Sequence, residues 1–198
     1  MSGAGIRFEQ FRGDKDGAEP SRAIQELWFS LARTRWSSLV LVPADESVSV
    51  SGFARSLAEV GGMLLDAPVT SIVADAMDYE SARMLADLQL RVQYGRLGDG
   101  SVNAGAGAAA GFPEDAADPM PQAIPPDRQL VVPATRPAAG QVVVAIQPVV
   151  VEPLGIAVAH AADAVVLCVK LGRTSLEHAR RTIELIGESR FIGAVVVE

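Results

Sequence analysis

Leu39-Val40-Leu41-Val42-Pro43-Ala44-Asp45-Glu46-Ser47-Val48-Ser49-Val50-Ser51 is the stretch on which the reading of the fold turns. Its first four residues form an unbroken apolar run closed by a proline, the pattern of a short strand buried on both faces. The polar loop from Ala44 to Ser51 then leads into Phe53, Leu57, Val60 and Leu64 at helical spacing. Gly61 and Gly62 weaken that helix near its end. A buried strand, a polar loop and an amphipathic helix in succession make one unit of a sheet covered by helices.

The same alternation continues on either side. Upstream, Ser21 to about Trp36 reads as a helix. Ile24, Leu27, Trp28 and Leu31 make its apolar stripe, and Arg22, Gln25, Glu26 and Arg33 face elsewhere. Downstream, a strand is expected around Val69 to Ala74 and a helix from about Tyr79 to Arg91. Further strands are read at Leu130-Val131-Val132, Val142 to Ile146, Ala164 to Val169 and Ile192 to Val197. A helix lies between the last two. Thr174 and Glu177 form a capping box, Leu176, Ala179, Ile183 and Ile186 supply its apolar face, and Gly187 stops it. Together these elements describe an α/β fold, a mainly parallel sheet of about six strands with helices on both faces.

Composition divides the chain. Residues 1–18 are polar and glycine-rich and read as a flexible arm. Residues 19–198 read as one α/β domain interrupted by a Gly/Ala/Pro-rich insertion at 97–127. Between Arg96 and Arg128 there is no basic residue, whereas Asp99, Glu114, Asp115, Asp118 and Asp127 all fall there. Such a segment buries too little apolar surface to order itself, so a disordered, solvating linker is expected.

Hydrophobic residues make up 49% of the 198, yet aromatics only 5%, a mix suited to buried strands under small-residue helices. The net charge of -7 argues against nucleic acid or anionic lipid as a direct partner, because both select clustered Lys and Arg. One cysteine, Cys168, excludes an internal disulfide and a cysteine-based zinc site. Its apolar surroundings suggest a buried, inert thiol. No apolar run approaches a membrane span and no signal-peptide core opens the chain, so a cytoplasmic location is expected, peripheral to the membrane only through a partner.

The loop after the first strand of such a sheet is where phosphates usually bind. A working phosphate loop ends in Gly-Lys-Ser/Thr, the lysine neutralising charge and the hydroxyl holding magnesium. Here Ala44, Asp45, Glu46, Ser47, Val48, Ser49, Val50 and Ser51 occupy that stretch. Val50 stands at the lysine position and Ser49 at the preceding glycine. Ser51 alone retains a metal-side hydroxyl. Two acidic neighbours each cost a bound anion on the order of 1 kcal/mol, and a helix N-terminus returns less than about 2 kcal/mol. This loop is poorly suited to a polyphosphate.

Beyond these motifs, the order and spacing of elements over most of Ser21 to Glu198 resemble the bacterial tyrosine kinase family. These are cytoplasmic P-loop kinases paired with exopolysaccharide chain-length regulators, and relatives of the MinD and ParA ATPases. Phe53-Ala54-Arg55-Ser56-Leu57-Ala58 carries part of the resemblance. Its most specific part is Ala161-Ala162-Asp163-Ala164-Val165-Val166-Leu167-Cys168-Val169-Lys170-Leu171-Gly172-Arg173-Thr174, which is similar to the family's strand-and-turn segment. The family's catalytic positions are mostly replaced. Where it has Asp-x-Asp after a strand, this chain has Val73 and Asp75, and Ala145-Ile146-Gln147-Pro148 replaces an aspartate followed by Thr-Pro-Pro. Phosphoryl transfer needs carboxylates around magnesium, and two of three are missing. The ring-forming motif of the family's first helix falls on Arg22, Gln25 and Trp28, so the resemblance does not extend to that assembly, although a homo-oligomer of another kind stays open.

The resemblance therefore implies a pseudo-enzyme with no catalytic residue, no cofactor and no metal. It would serve exopolysaccharide or capsule synthesis or export by binding the cytoplasmic part of a membrane chain-length regulator or a related kinase. Trp28, Phe29 and Trp36 are the candidate interaction residues, since aromatics dominate interface hot spots. Trp28 also suits packing of its helix on the sheet. The alternative is a divergent ATP-binding protein that keeps Ser51, Arg55 and Asp75 as remnants of a nucleotide site. His160 and His178 are read as ordinary helix or surface histidines.

Overall fold

The computed structural model describes residues 6–11, 21–65, 67–98 and 140–197, with the backbone alone for 94–98. In chain order the elements are β1 (Ile6–Phe11), α1 (Arg22–Ala32), β2 (Ser38–Pro43), α2 (Ser51–Leu64), β3 (Val69–Ala74) and α3 (Tyr79–Gly98). β4 (Gln141–Ala145), α4 (Gly155–Ala161), β5 (Ala164–Val169), α5 (Leu176–Ile186), a 3-10 turn (Glu188–Arg190) and β6 (Phe191–Val196) complete it. The six strands form one sheet in the order β1-β3-β4-β2-β5-β6. β1 runs antiparallel to β3, and every other neighbouring pair is parallel. The expected α/β architecture is therefore present.

β2 lies at the centre of the sheet, and every one of its residues is buried. Successive side chains of a strand point to opposite faces. Leu39 and Leu41 accordingly join one core with α1 and α2, and Val40 and Val42 join a second core with α3, α4 and α5. Each such side chain contributes roughly 1.5–3 kcal/mol by leaving water. α2 follows β2 on one face, whereas α4 follows the adjacent β4 on the other. The two chain paths diverge there, which opens a crevice at the carboxyl ends of the central strands.

Local contacts hold this frame together. The Asp163 carboxylate, just before β5, accepts hydrogen bonds from the backbone N–H groups of Ser37 (2.7 Å) and Ser38 (3.0 Å). The Asp163 N–H donates in turn to Ser38 Oγ at 3.0 Å. The most specific stretch of the family resemblance thus fastens the amino ends of β2 and β5. Gln93 on α3 donates to the Ala161 carbonyl at 2.8 Å. This contact and the buried Val92 carry α3 past Arg91, where its apolar pattern suggests an end.

Several expectations need correction. Residues 6–11, read as part of a flexible arm, form β1, because Ile6 and Phe11 pack against the cores and the strand pairs along the whole of β3. No capping box opens α5: Thr174 Oγ1 instead accepts from the Lys170 N–H at 2.8 Å, and the N-cap residue is Ser175. Leu176, expected in the apolar face, is 69% exposed, and Thr182 is buried in that face instead. Trp28 and Trp36 are each 1% exposed and meet edge to face with centroids 5.5 Å apart, so neither can touch a partner. The expected strand at 130–132 and nearly all of the expected insertion lie outside the described residues.

Candidate functional site

The crevice at the carboxyl ends of β2, β3 and β4 encloses about 190 Å³. Pro43 closes β2 at its edge, and the loop to Ser51 forms one wall, with Glu46, Ser49, Val50 and Ser51 facing the space. Asp75 and Gln147 contribute from the ends of β3 and β4. Among the described residues lining this crevice there are two acids and no cation.

Val50 is 4% exposed and belongs to the core beneath α1 and α2, together with Val48 and Ala54. The position where a phosphate loop carries its lysine is therefore part of the hydrophobic interior. An unpaired ammonium there would be desolvated at a cost of several kcal/mol. Ala44 is likewise buried, and its N–H donates to the Cys168 carbonyl at 2.9 Å, which ties the start of the loop to β5.

Asp45 turns away from the crevice. Its carboxylate accepts from the Ser47 hydroxyl, from the Ser47 N–H at 3.0 Å and from the Ser175 N–H at 3.2 Å. Burial by itself would raise this carboxyl, but the Ser47 and Ser175 hydrogen bonds and nearby His178 hold it below 3.8. Asp45 is thus a clasp between the loop and the start of α5. Glu46 is exposed and carries the negative charge of the loop at the crevice.

The remaining candidates are engaged by β1. Arg7 forms an ion pair with Asp75, and Glu9 forms one with Arg55. All four side chains are between 40% and 61% exposed, so these pairs contribute at most about 1 kcal/mol each. Ser51 opens α2 beside the crevice, but Arg55 does not line it. The three proposed nucleotide remnants are therefore not gathered around one point. Sequence reasoning misses Arg7 and Glu9 because they fall within the presumed arm. The alternation Ile6-Arg7-Phe8-Glu9 is the available signal of a strand.

Phe29 is 59% exposed on α1, unlike the two tryptophans. His160 and His178 are exposed on α4 and α5. Among the described residues, no three His, Cys, Asp or Glu side chains group as metal ligands, and no helix is long and apolar enough to cross a membrane.

The architecture is compatible with P-loop-like folds: a mostly parallel sheet whose central strand leads through a loop into a helix at the crevice. No family model, curated protein or solved structure matches the chain.

Proposed function

We propose that this chain is a non-catalytic, P-loop-like domain that works by binding another protein. The observation that carries the reading is the burial of Val50 in the core at the lysine position, beside a crevice lined by Glu46 and Asp75 without a cation. Among the described residues, a nucleoside triphosphate would meet two carboxylates there, Asp75 already paired with Arg7, and no ammonium group. Element order and the segment from Ala161 to Thr174 support the finer reading, a pseudokinase-like subunit of bacterial exopolysaccharide or capsule synthesis or export. It docks on the cytoplasmic part of a membrane chain-length regulator or on a true kinase. Phe29 is the exposed aromatic on the described surface of α1 and the contact candidate.

Calorimetric titration with ATP and magnesium tests the non-catalytic reading. No saturable binding is expected. Micromolar binding that disappears in Ser51→Ala would overturn it in favour of a divergent ATPase. Docking is tested separately, by titrating the purified cytoplasmic segment of a chain-length regulator against the protein. Absence of binding to both that segment and its cognate kinase removes the finer reading.

A further inference from the structure

A second cavity, of about 200 Å³, lies at the first turn of α2 and shares Ser51 with the crevice. Its floor is the sheet face of β1 and β3, where Arg7 pairs with Val73 and Glu9 with Ser71 in register. Ser51, Gly52 and Arg55 of α2 form its roof. Arg7 and Arg55 bring two guanidinium groups to it, Glu9 pairs with Arg55 and Asp75 with Arg7, and the positive end of α2 tips this otherwise balanced set towards an anion.

Ser71 supplies an independent observation. It lines this cavity, is 2% exposed, and its hydroxyl is buried without a hydrogen-bond partner among the described residues. A buried hydroxyl left unpaired is unfavourable and calls for a ligand or water at that point. The first turn of a helix also leaves backbone N–H groups without intrahelical partners. Among the described residues, no side-chain cap satisfies those of α2.

From this geometry we infer that the cavity between β1, β3 and α2 is a binding site for a small tetrahedral oxyanion of the phosphate type. Arg55 and Arg7 supply charge-assisted hydrogen bonds, the α2 N-terminus supplies backbone donors, and Ser51 and Ser71 supply hydroxyls. The volume supports a small ligand, since pockets for drug-sized molecules begin at roughly 300 Å³. Glu9 and Asp75 are the internal competitors, because their carboxylates hold Arg55 and Arg7 when no anion is bound. Both pairs are partly exposed and contribute little, so an anion can replace either carboxylate. The site shares Ser51 with the degenerate nucleotide crevice but takes its other lining residues from elsewhere, and it does not depend on which protein the chain binds.

Titration of the full chain with inorganic phosphate at low ionic strength, followed by amide NMR shifts, tests the assignment. Saturable binding in the millimolar range or tighter is expected, with shifts at Ser51, Gly52 and Ser71. Ser71→Ala and Arg55→Gln should each weaken it about tenfold. Glu9→Gln should tighten it about threefold, a gain that damage to the fold cannot imitate. Glu46→Gln, in the neighbouring crevice, should leave it unchanged. No saturable shift, equal affinity in Ser71→Ala and Glu9→Gln, or tightening by Glu46→Gln would each overturn the site.

Discussion

The six-membered ring of Trp28 on α1 lies so close to Gly61 of α2 that a Cβ built on that glycine would sit 2.2 Å from the indole Cη2. Trp36 meets the same indole edge-on and donates from Nε1 to the Leu31 carbonyl at 3.1 Å. Next along α2, a Cβ on Gly62 would lie 2.7 Å from the Phe11 carbonyl oxygen of β1. Two glycines that weaken a helix by propensity are thus the places where α1 and β1 reach it.

Gly61→Ala is therefore expected to destabilise the protein by about 1–3 kcal/mol, because the rigid indole must move to admit a methyl group. Gly52 offers the control. It stands in the first turn of the same helix, and a methyl group added there would meet nothing within 4 Å, so Gly52→Ala should stabilise by about 0.5–1 kcal/mol. Urea midpoints of the two variants, moving in opposite directions, check both statements. A shift of the same sign in both would contradict the packing described.

Asp45 makes stability depend on pH. Its folded carboxyl is held below 3.8, so the unfolded chain takes up the proton more readily than the folded one. Its stabilisation is complete above that value and is lost as the pH falls through the folded pKa. Asp45→Ala should cost about 1–3 kcal/mol at neutral pH. The gap from the parent protein should close as acid is added below pH 3.8. Parallel denaturant titrations across pH read this directly, and a gap that persists unchanged into acid would deny the clasp.

Burial pushes the Cys168 thiol up to about 12. At neutral pH almost none of it is thiolate, the form that reacts. Modification by a thiol reagent should therefore follow the rate of unfolding and accelerate in urea in step with loss of structure. Prompt labelling of the folded protein would place Cys168 at the surface, contrary to its position in β5.

Phe29 and Trp28 are neighbours in sequence with opposite expected effects. Trp28→Ala should cost about 3–5 kcal/mol, as for a large buried aromatic. Phe29→Ala should change stability by no more than about 0.5 kcal/mol. It should nonetheless weaken binding of the regulator segment about tenfold. Equal affinity of Phe29→Ala and the parent protein would move the interface off α1.

Much of the scaffold is legible in residue order. Buried strands on both sides of a sheet need continuous apolar runs, and Leu39 to Val42 and Ala164 to Val169 provide them. The glycine stop at Gly187, with φ of 94°, is legible for a similar local reason, since side chains avoid that conformation. β1 escapes notice because its polar face carries Arg7 and Glu9, whose meaning depends on residues more than forty positions away.

Sequence by itself determined the α/β alternation, the interior thiol and the missing lysine at position 50, because each depends on the residue type at its own position or on neighbours within a few residues. Tertiary structure alone decided that Asp45 clasps α5, that β1 occupies Arg55 and Asp75, and that the Ser71 hydroxyl beneath α2 has no partner among the described residues. These are pairings between distant segments, and a side chain's charge or hydroxyl acquires a role only when the fold chooses what stands opposite it.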